Sequence, residues 1–278
     1  MTIDQIISQA LQEDVQDGDH TSLATIPAEA KGKARLLVKE NGIIAGIRIA
    51  EKVFKQVDPE IEFKQFIEDG AEIKVGDIAF EVSGKSISIL TAERLALNFM
   101  QRMSGIATTT NVYVKLLKGT KTIVLDTRKT TPNLRLLEKE AVVLGGGENH
   151  RMGLYDMIMI KDNHVDFAGG IKQAIEATQH YLQSKSKNLK IELEVRNFQE
   201  LDEAINVGGI DRIMLDNFTP NSLKKAIKLI DGRFETEASG GITLDTIRSY
   251  AETGVDYISV GALTHHIKSL DLSLKAVS

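Results

Sequence analysis

Residues 126–164 read DTRKTTPNLRLLEKEAVVLGGGENHRMGLYDMIMIKDNH, and the fold turns on how this stretch is parsed. Two apolar runs frame it. Residues 123–125 lead into Asp126, Arg128 and Lys129; residues 157–160 lead into Lys161, Asp162, Asn163 and His164. Between them Leu134, Leu137, Ala141 and Leu144 recur at helical spacing, followed by Gly145, Gly146, Gly147, His150 and Arg151. Short apolar strands that each finish in charged residues are the sequence form of a barrel rim. The rim here is cationic: Arg128, Lys129, His150, Arg151 and Lys161. Such a set suits an anion with several phosphate or carboxylate groups.

Working outward, the same rhythm continues to the C-terminus. Strands are predicted at 122–126, 157–161, 190–195, 212–216, 234–238 and 257–260, with helical patterns at 132–144, 170–183, 198–207, 220–230 and 244–253. Alternation of this kind implies a parallel sheet with right-handed crossovers, most simply an α/β barrel, here with fewer than eight strands. The periodicity alone also allows a doubly wound open sheet. The N-terminal third has another style. Helical spacing covers 3–11, and EDVQDGDHTS at 13–22 reads as an acidic, turn-rich loop. Two short strands flank the hairpin signal Asn41-Gly42. A helix is expected at 49–57, then short antiparallel strands over 60–88 with turns at Asp69-Gly70, Gly76-Asp77 and Ser83-Gly84. A helical pattern at 91–117 is interrupted near Ser104-Gly105. This is an α+β pattern without parallel alternation.

Composition narrows the function. The chain has 278 residues, 42% hydrophobic and 26% charged, enough to bury a core. A net charge of -5 argues against nucleic-acid binding, so the cations must be concentrated locally. With no cysteine there is no disulfide framework, thiolate zinc site or cysteine nucleophile, which fits a reducing cytosol. No stretch approaches the ~18 apolar residues of a membrane span, and the opening residues lack a signal-peptide core. A cytoplasmic protein with no membrane association is expected.

The residues that close the predicted strands are Arg128 and Lys129, Lys161, Glu194, Asp216, Ser239-Gly240-Gly241 and Gly261-Ala262. In a barrel they converge on the C-terminal face. Gly-rich turns after the last two strands leave backbone N–H groups open, a place for a phosphate. Glu194 and Asp216 beside a polyphosphate suit Mg²⁺, although each alone also reads as a helix cap or first-turn acid. Arg135 and Lys139, spaced i, i+4 on one helix, are expected to face solvent. His265-His266 has no companion at metal-ligand spacing and is read as structural. Phosphate-loop, dinucleotide and nucleophile-elbow motifs are absent.

DTRKT, GGGENHRMGLYDMIMIKDNH, ELEV, MLDNF, ASGGI and VGALTH occur in that order, with TAERLALNFMQRMSGIAT upstream and EDVQDGDHTS near the start. Together they resemble the quinolinate phosphoribosyltransferase family. The resemblance implies an N-terminal α+β sandwich domain, placed at 1–108, and an incomplete α/β barrel at 109–278. The last ~10 residues are expected to pack back on the first domain. It implies a reaction in which quinolinate and 5-phosphoribosyl-1-pyrophosphate give nicotinate mononucleotide, pyrophosphate and CO₂, with Mg²⁺. Arg94, Arg128, Lys129, His150, Arg151 and Lys161 would hold the carboxylates and the pyrophosphate. Glu194 and Asp216 would lie by the ribose hydroxyls and the metal, and Ser239, Gly240, Gly241 and Gly261 would cradle the 5-phosphate. Lys129, Lys161, Glu194 and Asp216 are the catalytic candidates. A homodimer or homohexamer with shared active sites is implied, the sandwich domain of one subunit closing another's barrel. Lys39 stands where the family often has an arginine on an N-terminal hairpin; it keeps the charge and loses the bidentate fork. From the residues alone, three readings compete: a Schiff-base aldolase at Lys161, a non-catalytic sugar-phosphate sensor, and a related transferase with another acid substrate.

Overall fold

The computed structural model describes residues 1–277. The chain opens with α1 (Ile3–Val15), whose Thr2 and Gln5 close a reciprocal capping box. A second helix, α2 (His20–Thr25), starts where a loop was expected. The Asp19 side chain accepts from the Ser22 N–H at 3.1 Å, so an acid that reads as loop chemistry is an N-cap. There follow β1 (Lys31–Val38), β2 (Gly42–Ile43), α3 (Ile47–Val57), β3 (Glu62–Gln65), β4 (Glu72–Ile73), β5 (Ile78–Lys85) and α4 (Ser86–Leu116).

Three expectations are corrected here. β1 and β2 do not form a hairpin: β1 pairs with β5, while β2 pairs with β4. The Asn41 side chain accepts from Val75 N–H at 2.9 Å instead of shaping a tight turn. Gly42 is small because a methyl there would strike the Thr108 side chain. Ser83-Gly84 is not a turn either; both residues lie within β5. Nor is α4 interrupted at Ser104-Gly105. Ser104 Oγ takes the Ala45 N–H at 2.9 Å, and a Cβ on Gly105 would collide with the Lys268 carbonyl. Both residues are there for close packing, not to break the helix.

The chain continues through β6 (Ile123–Leu125), α5 (Arg135–Leu144), β7 (Ile158–Ile160), α6 (Asp162–Ala168), α7 (Ile171–Ser184) and β8 (Ile191–Val195). It ends with α8 (Phe198–Val207), β9 (Arg212–Asp216), α9 (Pro220–Ile230), β10 (Glu235–Ser239), α10 (Ile247–Ala251), β11 (Tyr257–Ser259), α11 (Ala262–His265) and β12 (Leu272–Val277). By packing, the chain divides into two units. One gathers residues 1–112, 129–146 and those from 263 on; the other holds 113–128 and 147–262.

In the first unit an antiparallel sheet runs in the order β12-β1-β5-β3. The C-terminal strand therefore pairs with β1, Leu36 opposite Leu274. Ala34, Leu36 and Val38 point inward and Lys33 and Arg35 outward, the alternation of a half-buried sheet. Phe54 and Phe80 fill the core behind it with ring centroids 6.1 Å apart.

The second unit holds six parallel strands in the order β6-β11-β10-β9-β8-β7. β6 and β7 are its two edges, so the barrel is incomplete. The register sets Arg212 level with Glu192 and Glu235, Met214 level with Glu194 and Glu237, and Asp216 level with Ser239. Alternate residues of a strand share a face. Glu192 and Glu194, Arg212 and Asp216, and Glu237 and Ser239 thus form inward rows that climb to the strand ends.

Candidate active site

At the C-terminal ends of these strands, Arg128 and Arg151 are neighbours. Burial lowers the pKa of Arg151, and the nearby Arg128 charge lowers it further. Arg128 Nε is buried with no hydrogen-bond partner. Arg151 reaches only a carbonyl, that of Met157, at 3.2 Å. Glu192 and Asp156 act on Arg151 only as weaker opposing charges, and neither guanidinium forms an ion pair with an acid, so the pair suits an incoming anion.

Opposite in sign, Glu194 and Asp216 close β8 and β9. Burial raises the Glu194 pKa, and Asp216 and then Asp162 add to this, while Lys161 lowers it. Lys161, Asp162, Glu194 and Asp216 are therefore one electrostatic group. Lys161 is the N-cap residue of α6, and its N–H donates to His164 Nδ1 at 3.0 Å. The two carboxylates supply hard oxygen donors. They do not form a three-ligand cage of their own, so they fit a Mg²⁺ that completes its shell with water and phosphate.

After β10 the chain turns through Gly240 (φ +99°) and Gly241 (φ +61°), both left-handed. A methyl at Gly240 would collide with the Asn217 side chain and lie 2.9 Å from its backbone nitrogen, whereas nothing lies within 4 Å of one at Gly241. The turn beside Ser239 is thus free of side chains of its own. Gly261 follows β11 in the same position on its strand.

His150 is nearly buried beneath this mouth. Its Nε2 lies 2.8 Å from Glu192 Oε2 and 3.4 Å from Glu237 Oε2, and its Nδ1 accepts the Arg151 N–H at 2.7 Å. Both ring nitrogens are thereby engaged by protein groups. Burial favours the neutral ring, while the two carboxylates pull its pKa upward. Burial, and then Glu237, raise the Glu192 pKa to about 7.

Arg128, His150, Arg151, Lys161, Glu194, Asp216, Ser239, Gly240, Gly241 and Gly261 all belong to the barrel unit. Lys39, Arg94 and Lys129 belong to the other, each exposed. Lys129 follows the strand-end arginine, and its carbonyl accepts from Thr264 Oγ1 at 2.8 Å. Lys139 is fully buried, contrary to the solvent-facing expectation. The buried face of α5 is wide enough to take in Glu138 and Lys139 beside Leu137 and Ala141. Glu138 there accepts from Arg102 Nε at 2.8 Å and from Thr131 N–H at 3.1 Å.

Sequence reasoning missed Glu192, Arg212 and Glu237. The signal was present: Glu192 and Glu237 are charges one alternate position below a strand-end residue, and Arg212 is two below Asp216. A hollow of about 490 Å³ opens at the other end of the strands, lined in part by Lys121, Asp211 and Asp256. Its acids are engaged in the scaffold. Asp211 accepts from Ile191 N–H at 2.7 Å and Asp256 from Thr236 N–H at 2.9 Å. That face of a barrel serves stability.

Fold and mouth together define an α/β-barrel enzyme for small polyanionic substrates. Residues 106–275 match the C-terminal domain of quinolinate phosphoribosyl transferase, and residues 19–104 match its N-terminal domain. The chain is 46% identical over 285 aligned positions to quinolinate phosphoribosyltransferase [decarboxylating] 1b of Nicotiana tabacum, covering 97% of this chain and 81% of the relative. It is 41% identical to the probable nicotinate-nucleotide pyrophosphorylase [carboxylating] of Bacillus subtilis (strain 168), covering 99% and 93%. The crystal structure of NadC from Streptococcus pyogenes superposes with a TM-score of 0.93 at 41% identity, covering 99% of this chain and 97% of that one. The chain belongs to the quinolinate phosphoribosyltransferase family and is a decarboxylating pentosyl transferase of NAD biosynthesis. Among the described residues, no helix is long and apolar enough to cross a membrane.

Proposed function

We propose that Arg128 and Arg151 grip the two carboxylates of quinolinate while the Ser239–Gly241 turn and Gly261 hold the 5-phosphate of phosphoribosyl pyrophosphate. The observation that carries this reading is the buried, unpartnered Nε of Arg128 beside a second guanidinium. A dicarboxylate supplies the charge the pair lacks, and planar forks fix the ring's orientation.

The reaction is then a substitution at the anomeric carbon. The pyridine nitrogen forms a bond to that carbon as the bond to pyrophosphate breaks, through an oxocarbenium-like state. Holding both partners in line converts a bimolecular encounter into a local one. Lys161 offers positive charge to the pyrophosphate. Glu194 and Asp216 take the ribose hydroxyls and would hold Mg²⁺, which when bound neutralises charge on the departing group. The alkylated ring nitrogen is cationic. The adjacent C–carboxylate bond breaks, CO₂ leaves, and the electron pair stays on a carbon next to that positive nitrogen until a proton arrives. His150, with both nitrogens turned to the protein, serves by holding Arg151.

A homodimer or homohexamer is the assembly we propose, with Lys39 reaching a neighbouring subunit's mouth, in the cytoplasm. The aldolase and sensor readings have nothing equal to the paired guanidiniums in their favour. The deciding assay incubates the protein with carboxyl-labelled quinolinate, phosphoribosyl pyrophosphate and Mg²⁺. Labelled CO₂ and nicotinate mononucleotide are expected in equal amounts. Binding without CO₂ release would favour the sensor, and borohydride trapping of a carbonyl substrate on Lys161 the aldolase.

A further inference from the structure

Below the mouth, one row deeper in the barrel, lies a charged layer of which the reaction above uses only His150. Glu192 of β8 and Glu237 of β10 are both fully buried, and His150 sits between them. Arg212 Nη1 donates to Glu237 Oε2 at 3.1 Å, and its Nε donates to Glu235 Oε2 at 3.1 Å. The Tyr257 ring covers that guanidinium, 3.9 Å from its centroid. The ligand atoms of His150, Glu192 and Glu237 lie within 4.8 Å of one another, near enough to hold a metal ion. Arg212 already supplies positive charge to Glu237, so the layer reads as an ion network.

The consequence lies in the hydrogen atoms of His150. A nitrogen that accepts the Arg151 N–H at 2.7 Å must present a lone pair, so the ring proton belongs on Nε2. There it faces both carboxylates, at 2.8 and 3.4 Å, and is short of ideal alignment with either. The backbone of His150 is held as well, its N–H donating to Asp126 Oδ1 at 2.9 Å. The ring and main chain of His150 thus set the starting point of the Arg151 side chain. The groups facing the ring are Glu192, Glu237, Arg212 behind Glu237, the Arg151 amide, and Asp126 at the main chain.

We propose that Glu192 is a positioning residue for substrate binding: it fixes the Nε2–H tautomer of His150, and His150 in turn fixes the backbone from which Arg151 reaches the substrate carboxylate. This rests on the carboxylate role given to Arg151 above. Two influences on His150 oppose each other. The glutamates draw it toward the imidazolium, whereas the Arg151 amide excludes a proton on Nδ1. The amide prevails, because its position is set by the main chain.

Two measurements test this. The first uses the wild-type protein and does not depend on how any variant folds. ¹⁵N spectroscopy of the ring nitrogens near neutral pH, with His150 assigned by a His150→Gln sample, should show one protonated nitrogen, Nε2, and one bare nitrogen, Nδ1. A proton on both nitrogens overturns the proposal. The second separates the Michaelis constants. Glu192→Met, which offers Nε2–H no acceptor, should raise the quinolinate KM about tenfold, the scale found for loss of a supporting hydrogen bond to a functional histidine. The KM for phosphoribosyl pyrophosphate should stay nearly unchanged. Glu192→Gln keeps an acceptor oxygen and should restore the quinolinate KM. Arg151→Ala is the control. If it raises the quinolinate KM and Glu192→Met does not, the positioning role is wrong while the site reading stands. If Arg151→Ala itself leaves that KM unchanged, both fall.

Discussion

Two rows of the same barrel carry similar residues and do opposite things with them. In the deep row the groups are matched to one another: Arg212 touches Glu235 and Glu237, and His150 turns its Nε2 edge to Glu192 and Glu237. In the upper row like charges are set beside each other. Arg128 and Arg151 repel each other on one side, and Glu194 and Asp216 do so on the other. Matched buried charges hold a scaffold, and removing one partner leaves the other stranded. Unmatched charges at a rim are stored for something not part of the protein. The difference separates structural from functional ionisable groups even where burial and residue type do not.

The contrast can be broken most forcefully from below. Arg212→Ala would leave Glu237 buried without its guanidinium, and a cost of about 3–5 kcal/mol in urea unfolding is expected. A loss too small to resolve would mean that the deep row is not an ion network. In the upper row Arg128→Ala should do the reverse. Quinolinate affinity should fall by about 2–5 kcal/mol. Unfolding free energy should hold or rise, because a repulsion with Arg151 is removed; titration calorimetry and urea melts measure the two. Gly240→Ala comes next. It forces a side chain into φ +99° against Asn217, a strain of about 1–3 kcal/mol, and should weaken phosphoribosyl pyrophosphate more than quinolinate.

The smallest effect on stability is expected at Glu194, whose folded pKa is raised. The native state keeps a proton that the unfolded chain has already lost, so this carboxyl lowers stability once pH exceeds its ordinary value of 4.5. Glu194→Gln should therefore be more stable than wild type at neutral pH and equal to it well below pH 4.5, while turnover is lost. Thermal melts across that range would show it. A variant less stable than wild type at neutral pH would contradict the electrostatic reading.

Much of this was legible in the residues because the two decisive patterns are local. Five of the six strands recur as short, mainly apolar runs, and each strand leads into the group that marks the rim, so Arg128, Lys161, Glu194, Asp216 and Gly240 could be placed at strand ends from the sequence. What escaped depends on contacts distant in sequence. Asn41-Gly42 has the letters of a hairpin turn, but Gly42 answers to Thr108 and Asn41 to Val75. Ser104-Gly105 has the letters of a helix break and instead answers to Ala45 and Lys268. Lys139 was assigned to solvent by its charge, although α5 turns it inward. Glu192 hid inside an apolar strand and Glu237 inside one that reads ETEAS, because a buried charge is readable only with its partner.

The account stands or falls on whether the paired guanidiniums recognise two carboxylates. Calorimetric titration of quinolinate and of nicotinate, its monocarboxylate counterpart, onto wild type, Arg128→Ala and Arg151→Ala addresses that directly. A strong preference of the wild type for quinolinate is predicted, falling to similar affinity for both ligands when either arginine is removed. A preference that survives both substitutions would contradict it.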